Sequence, residues 1–280
     1  MKFFKYLTYS LALMLMVASC DKHEILYNTD PAAEAEFQLH YFEPIDNVAA
    51  NYIDSVFVNG VLYSSVNGSG QLVPYNGVPG GTTGRFFSIN PGQAEFVFYR
   101  KGNIVYQQTT TLKAGKQNVI VHDMNKEPIV IDNGYPYQHV SGTPTVATWD
   151  TDSLATVMFI NLLYEEAGKP YEGKLQYQWQ HQTTKEWHNI GEPVAFGEAT
   201  PRTMIKIIKT PDIHNSEGTR RVDYRILTED GVALQIMNTG GNMVDYSDYW
   251  NGSIGRSYMH FYSGIRTQKG YSQVKQWTSL

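Results

Sequence analysis

The sequence predicts an all-β protein: two tandem immunoglobulin-like β-sandwich domains behind an N-terminal signal peptide. Three observations carry this. No window beyond residue 20 sustains apolar residues at helical spacing for three turns. Short runs with a period of two recur along the whole chain, and Gly, Pro and Asn punctuate them at regular intervals. Composition agrees. The 280 residues are 42% hydrophobic and only 18% charged, with 20 Tyr, 24 Gly and a single Cys. Such a chain is too apolar for intrinsic disorder. One Cys forms no internal disulfide, and a net charge of −5 lacks the basic face that nucleic acid requires, so no nucleic-acid partner is expected.

The first strand is read from Phe37, Leu39 and Tyr41, which alternate with Glu36, Gln38 and His40 in the pattern of a half-buried strand. Ser55–Val58 and Val61–Tyr63 flank Asn59-Gly60, a pair suited to a type I′ hairpin turn because both central residues need positive φ. Strands follow at Arg85–Ile89, Ala94–Tyr99, Ile104–Leu112 and Gln117–His122. Their turns are Asn90-Pro91-Gly92, Lys101-Gly102-Asn103 and Lys113-Ala114-Gly115-Lys116. The pattern lapses from Asp132 to Asp152, where Asn133-Gly134-Tyr135-Pro136 and Ser141-Gly142-Thr143-Pro144 mark a linker. It resumes at Thr156–Leu163, Lys174–His181, Trp187–Ile190, Met204–Lys209, Arg221–Leu227, Val232–Met237, Ser257–Ile265 and Tyr271–Trp277. In Lys174–His181 one face holds Leu175, Tyr177, Trp179 and His181, the other three Gln. Trp179 therefore reads as a core residue on the third strand of its sandwich, with Trp187 as its cross-strand neighbour.

The N-terminus carries Lys2 and Lys5, an apolar run from Leu7 to Val17, and then Val17-Ala18-Ser19-Cys20. That is the plan of a secretory signal peptide, and the run is too short to span a bilayer, which takes about 20 residues. The last four residues resemble the lipobox of bacterial lipoproteins, with Val in place of the commoner Leu. The resemblance implies that Cys20 becomes the mature N-terminus and is acylated, tying the protein to a lipid bilayer. Each buried CH₂ of such chains contributes about 0.8 kcal/mol. The charged stretch Asp21-Lys22-His23-Glu24 resembles those that accompany export to the surface of Gram-negative cells. Cleavage removes two lysines and no acid, making the chain more acidic. The predicted organisation is signal peptide 1–19, lipidated tether 20–34, first domain 35–131, linker 132–152 and second domain 153–280.

In the first half, Asp54–Gly60, Val73-Pro74-Tyr75, Val78-Pro79-Gly80, Pro91-Gly92 and Leu112-Lys113-Ala114-Gly115-Lys116 recur in one order. From Glu36 to Asp123 that order resembles a family of bacterial extracytoplasmic β-sandwich domains catalogued as a domain of unknown function. The resemblance implies tandem occurrence in surface lipoproteins and no assigned catalytic residue. The second half begins alike, Ala155–Leu163 echoing Ala35–Phe42, but lacks the Pro-Gly and Ala-Gly-Lys turns. A diverged repeat and an unrelated immunoglobulin-like domain both fit it.

Catalytic motifs are not found. Gly80-Gly81-Thr82-Thr83-Gly84 has the glycines of a phosphate loop but no following Lys or helix. Asn67-Gly68-Ser69-Gly70 and Gly252-Ser253-Ile254-Gly255 miss the spacing of a nucleophile elbow. The eight His are scattered; His181 and His188 fall on neighbouring strands without a third ligand. Asp150 and Asp152 open no calcium loop, and the adjacent Glu165 and Glu166 point to opposite faces. No metal, cofactor or catalytic residue is expected. What stands out is aromatic surplus. Tyr246, Tyr249 and Trp250 sit in Asp245–Gly252, a segment without strand pattern, among Asp245, Ser247, Asp248 and Asn251. They are the candidate ligand-binding residues, since flat, stiff, partly polar side chains in loops make contact surfaces. The expectation is a non-catalytic outer-membrane or cell-surface lipoprotein acting as a binding or structural module, with a polysaccharide or a surface protein as partner. The alternatives are a glycan-binding accessory of a carbohydrate uptake system, a pilus or adhesin subunit, and a small carboxylate-dependent hydrolase.

Overall fold

The structure is a computed structural model describing residues 34–45, 49–65, 86–133, 153–208, 210–212, 215–270 and 272–279. Cys20 with the signal peptide, the turns from Gly68 to Gly84, and the stretch from Gly134 to Asp152 lie outside the described residues. Among those described there is no α-helix, only a 3₁₀ turn at Ala49–Asn51. The chain is all-β, as its alternation predicts.

The first half contributes β1 (Ala35–Tyr41), β2 (Ser55–Val58), β3 (Val61–Ser65), β4 (Phe87–Ile89), β5 (Gly92–Arg100), β6 (Asn103–Leu112), β7 (Gly115–Val121) and β8 (Ile129–Asp132). The second half contributes β9 (Ser153–Glu166), β10 (Lys169–Pro170), β11 (Leu175–Gln180), β12 (Trp187–Val194), β13 (Thr203–Ile207), β14 (Thr210–Asp212) and β15 (Asn215–Thr219). It continues with β16 (Arg221–Thr228), β17 (Gln235–Met237), β18 (Met243–Asp245), β19 (Ser247–Asn251), β20 (Ser257–Ile265) and β21 (Gln273–Ser279). Two turns follow from local chemistry as read. Asn59 and Gly60 adopt φ of 50° and 74°, and Lys101 and Gly102 adopt 52° and 73°.

Four principal sheets result. Sheet one is ordered β3-β2-β5-β6, sheet two β4-β1-β7-β8, sheet three β10-β9-β20-β21 with β13 also on β9, and sheet four β12-β11-β16-β19. The two halves share one wiring. In each, the opening strand (β1, β9) runs parallel to a late strand (β7, β20). The crossover a parallel pair requires is a hairpin-bearing excursion through the other sheet. Strand for strand, β2, β3, β5 and β6 correspond to β11, β12, β16 and β19.

Within the first half, Phe37, Leu39 and Tyr41 of β1 and Val119 and Val121 of β7 meet Val56, Phe96, Phe98 and Tyr106 from sheet one. Within the second, Phe159 and Tyr262 of sheet three meet Tyr177, Trp179, Tyr224 and Trp250 of sheet four. Trp179 is a core residue as expected. Its cross-strand partner is His188, 5.1 Å away and stacked, whereas Trp187 pairs with Gln180. One step along a strand reverses the face, so Trp187 points outward.

A third core joins the halves. Phe42 and Ile120 pack with Met158, Ile160, Leu162, Met259 and Phe261, bringing the outer faces of sheets two and three together. The half-buried reading of β1 is therefore corrected. Gln38 and His40, which alternate with its apolar residues, are 1% and 0% exposed because sheet three covers that face. Burial of polar groups demands partners, and a hydrogen-bonded chain crosses the seam. His40 Nε2 lies 3.1 Å from Asn118 Oδ1, and Asn118 Nδ2 donates to Asn133 Oδ1 at 2.8 Å. Arg202 donates through Nε and Nη2 to the Asn133 carbonyl at 2.8 and 2.6 Å and through Nη1 to Ser257. All described residues accordingly belong to one compact unit, Ala32–Leu280.

Candidate functional site

With sheets two and three buried against each other, the sheet faces open to solvent are the outer faces of sheets one and four. On sheet four the alternation is strict. Val222, Tyr224 and Ile226 of β16 point to the core while Arg221, Asp223 and Arg225 point out. On β11 Gln178 and Gln180 point out, and on β12 Trp187 and Asn189 do.

The segment Asp245–Gly252 runs from the last residue of β18 through the whole of β19 and is no loop, which separates the three predicted ligand-binding residues. Tyr246 and Trp250 are 7% exposed and belong to the core, whereas Tyr249 is 50% exposed on the outer face. Tyr246 Oη donates to or accepts from Tyr224 Oη at 3.1 Å and accepts the Val274 N–H at 3.0 Å. Trp250 stands edge-on to Tyr258 and His260, with ring centres 4.8 and 4.9 Å apart. The physical reason is pairing. β19 lies antiparallel to β16 with Trp250 opposite Val222 and Tyr249 opposite Asp223, so neighbouring residues must face opposite ways.

Tyr249 instead joins residues that the sequence reading did not name as ligand-binding. Trp187 pairs with Gln180, Gln180 lies opposite Asp223 one step beyond the Trp179–Tyr224 pair, and Asp223 pairs with Tyr249. The row Trp187–Gln180–Asp223–Tyr249 thus crosses all four strands, with the two rings about 14 Å apart at three strand spacings. It floors a groove of about 510 Å³, which Ser247 and Asp248 also line. Both rings are braced by guanidinium groups, Arg225 at 4.3 Å from the Trp187 centre and Arg221 at 3.9 Å from the Tyr249 centre. Arg221 donates to Asp223 Oδ1 from Nε at 2.9 Å and Nη2 at 2.6 Å, a pairing that raises its pKa. Arg225 Nε donates to Gln178 Oε1 at 2.8 Å, and Gln178 Nε2 donates to Asn189 Oδ1 at 2.7 Å. The signal for this face was present in the sequence as Arg221-x-Asp223-x-Arg225 alternating with Val222, Tyr224 and Ile226.

A second hollow, about 250 Å³, lies at the seam, lined by Glu43, His122, Asp123 and Tyr164 among others. Its acids are engaged. Glu43 meets Arg100 at 3.3 Å and accepts from Tyr41, and Asp123 meets Lys126 at 3.3 Å. Burial pushes the Asp123 carboxyl up, but the Asn125 N–H and Lys126 outweigh it and leave it below its ordinary value. His181 and His188 do approach, with ring centres 6.2 Å apart, but among the described residues no three His, Cys, Asp or Glu are grouped to hold a metal ion. Glu165 is held by Arg266 at 2.5 Å.

No family model matches the chain, and no curated protein sequence does. Among solved structures, the chain is similar to the Bacillus anthracis TIE protein, at TM-score 0.25 and 8% identity over 83% of this chain and 34% of that one. A leucine-rich repeat protein from Bacteroides thetaiotaomicron gives TM-score 0.22 and 10% identity over 85% and 27%. A candidate cell adhesion protein from Bacteroides uniformis gives 0.18 and 11% over 88% and 98%. The chain thus spans about a third or less of the first two.

Proposed function

We propose that this chain is a non-catalytic binding module, anchored through Cys20 to a bacterial outer membrane, that docks an extended glycan on the outer face of sheet four. One observation carries the reading: Trp187 and Tyr249 stand at the two ends of a row whose centre is Gln180 and Asp223. Sugars present apolar C–H faces that stack on rings and hydroxyls that pair with planar amides and carboxylates. A separation of about 14 Å suits a chain of several rings over a single monosaccharide. Both rings sit on strands and are braced by guanidinium groups before a ligand arrives, which lowers the ordering entropy that opposes binding.

Electrophoresis through gels containing a panel of polysaccharides tests the reading. The wild type is retarded by at least one of them, and Trp187→Ala and Tyr249→Ala each weaken retardation at least tenfold without lowering the melting temperature by more than a few degrees. A wild type that migrates freely through every gel refutes it. The anchor has its own test: Cys20→Ala leaves the protein in the soluble fraction or uncleaved, and membrane association equal to wild type would refute acylation.

A further inference from the structure

We infer that the glycan is acidic, with a carboxylate-bearing sugar seated at the Trp187 end of the sheet-four face on the Arg225 guanidinium; the inference rests on the glycan reading above. The charges on this face are not equivalent. Arg221 and Asp223 neutralise each other through two hydrogen bonds, and Asp248 Oδ1 accepts the Tyr249 N–H at 2.8 Å. Arg225 has no such partner. Among the described residues its only side-chain hydrogen bond is from Nε to Gln178, and its two terminal nitrogens carry no ion pair or hydrogen bond.

The group is nevertheless held in place. Its guanidinium carbon lies over the Trp187 ring, 4.3 Å from the centre. Gln178, itself tied to Asn189 on the next strand, fixes the inner edge. What remains is a planar fork of donors, which matches a carboxylate with two parallel hydrogen bonds. An arginine merely solvated at a surface keeps its rotamer freedom, whereas this one has lost it to two protein partners before any ligand is present. Its position matters as much. Arg225 pairs across the sheet with Gln178 and with Ser247, a residue of the groove wall. A sugar set against the part of Trp187 that the guanidinium leaves open therefore brings a ring carboxylate toward the free edge of the guanidinium. At the Tyr249 end Arg221 and Asp223 cancel, leaving the Asp248 carboxylate, which disfavours a second anion. The face is thereby polarised, acidic sugar at one end and neutral sugar at the other.

The experiment compares polygalacturonate with the same polymer after carboxyl reduction, alongside dextran sulfate, using wild type, Arg225→Gln and Arg225→Lys at low and high salt. The expected result is at least tenfold tighter retention by polygalacturonate than by its reduced form. Arg225→Gln abolishes that difference, Arg225→Lys restores part of it, and salt weakens the carboxylate-dependent part. Unchanged melting temperatures for the variants exclude misfolding as the cause. Equal retention by the native and reduced polymers, unaffected by Arg225→Gln, overturns the acidic inference and leaves the glycan reading standing. Retention by dextran sulfate alone overturns the carboxylate assignment. Free migration of the wild type in every gel removes both.

Discussion

Tyr249 and Trp250 are neighbours in the chain and opposites in energy. Trp250 is 7% exposed between Tyr258 and His260, so truncating it leaves a cavity as well as losing transfer free energy. Trp250→Ala should cost about 3–5 kcal/mol and lower the melting temperature sharply. Tyr249 is half exposed, and its principal contact is the Arg221 guanidinium, worth about 0.5–1 kcal/mol at such a site. Tyr249→Ala should leave the melting curve within that range of wild type while removing glycan retention. Equal destabilisation by the two substitutions would refute the outward placement of Tyr249. The sequence grouped these rings because Asp245, Ser247, Asp248 and Asn251 have low strand propensity and read as loop. Propensity is a weak guide where a partner strand supplies the hydrogen bonds, and β16 supplies them here.

Elements were most legible where the cause is local. The β2–β3 turn needs positive φ at both centres, and Asn59-Gly60 is the chemical statement of that need. Gly60 has φ of 74° with open space where a Cβ would sit, so Gly60→Ala isolates backbone strain from steric clash. It should cost about 1–2 kcal/mol, read as a lower urea midpoint with an unchanged slope. Gly197 tests something different. Its φ is 83°, and a Cβ there would stand 3.1 Å from Ile129 Cδ1 of β8, across the seam. Gly197→Ala should therefore cost more than Gly60→Ala, and a smaller cost would mean the seam yields easily. Legibility failed where the cause is distant. The period of two in β1 was readable, but which of its faces meets solvent depends on sheet three, over a hundred residues along the chain. Gln38 and His40 thus carried a polar signature into a buried position. Trp187 reads as the core-side neighbour of Trp179 for the mirror-image reason: an apolar ring at a strand start suggests core, and only the register with Gln180 turns it outward.

The seam makes the molecule's stability depend on pH, through histidines that it holds neutral. His40 lies between Asn118 and the ring of Phe261, with Phe42 beside it, and burial lowers its pKa from 6.5 to about 4. His122 meets the Tyr164 hydroxyl at 2.6 Å across the seam, beside Phe196 and near Asp123 and Lys126. Burial lowers its pKa to about 4 as well, with the opposing effect of Asp123 too small to reverse it. The folded form of each binds its proton more weakly than the unfolded chain does. Below pH 6.5 the unfolded state therefore takes up more protons, and stability falls as pH falls toward 4. At pH 5 the loss is about 2 kcal/mol for each histidine relative to pH 7, or about 4 kcal/mol for the pair. His260, buried among Tyr177, Tyr224 and Trp250 with a pKa lowered to about 3, adds a similar loss from within the second half. Since the seam cluster and the Arg202 chain tie the halves into one unit, the loss at the seam should weaken both halves together. Urea titrations at pH 7 and pH 5, followed by far-ultraviolet circular dichroism and by tryptophan emission, measure it. The midpoints by the two probes should coincide at pH 7 and move down together at pH 5. A double variant, His40→Gln with His122→Gln, should start lower at pH 7 and lose less on acidification, because neither replacement can take up a proton. An undiminished pH dependence in that variant would place the acid sensitivity elsewhere in the molecule.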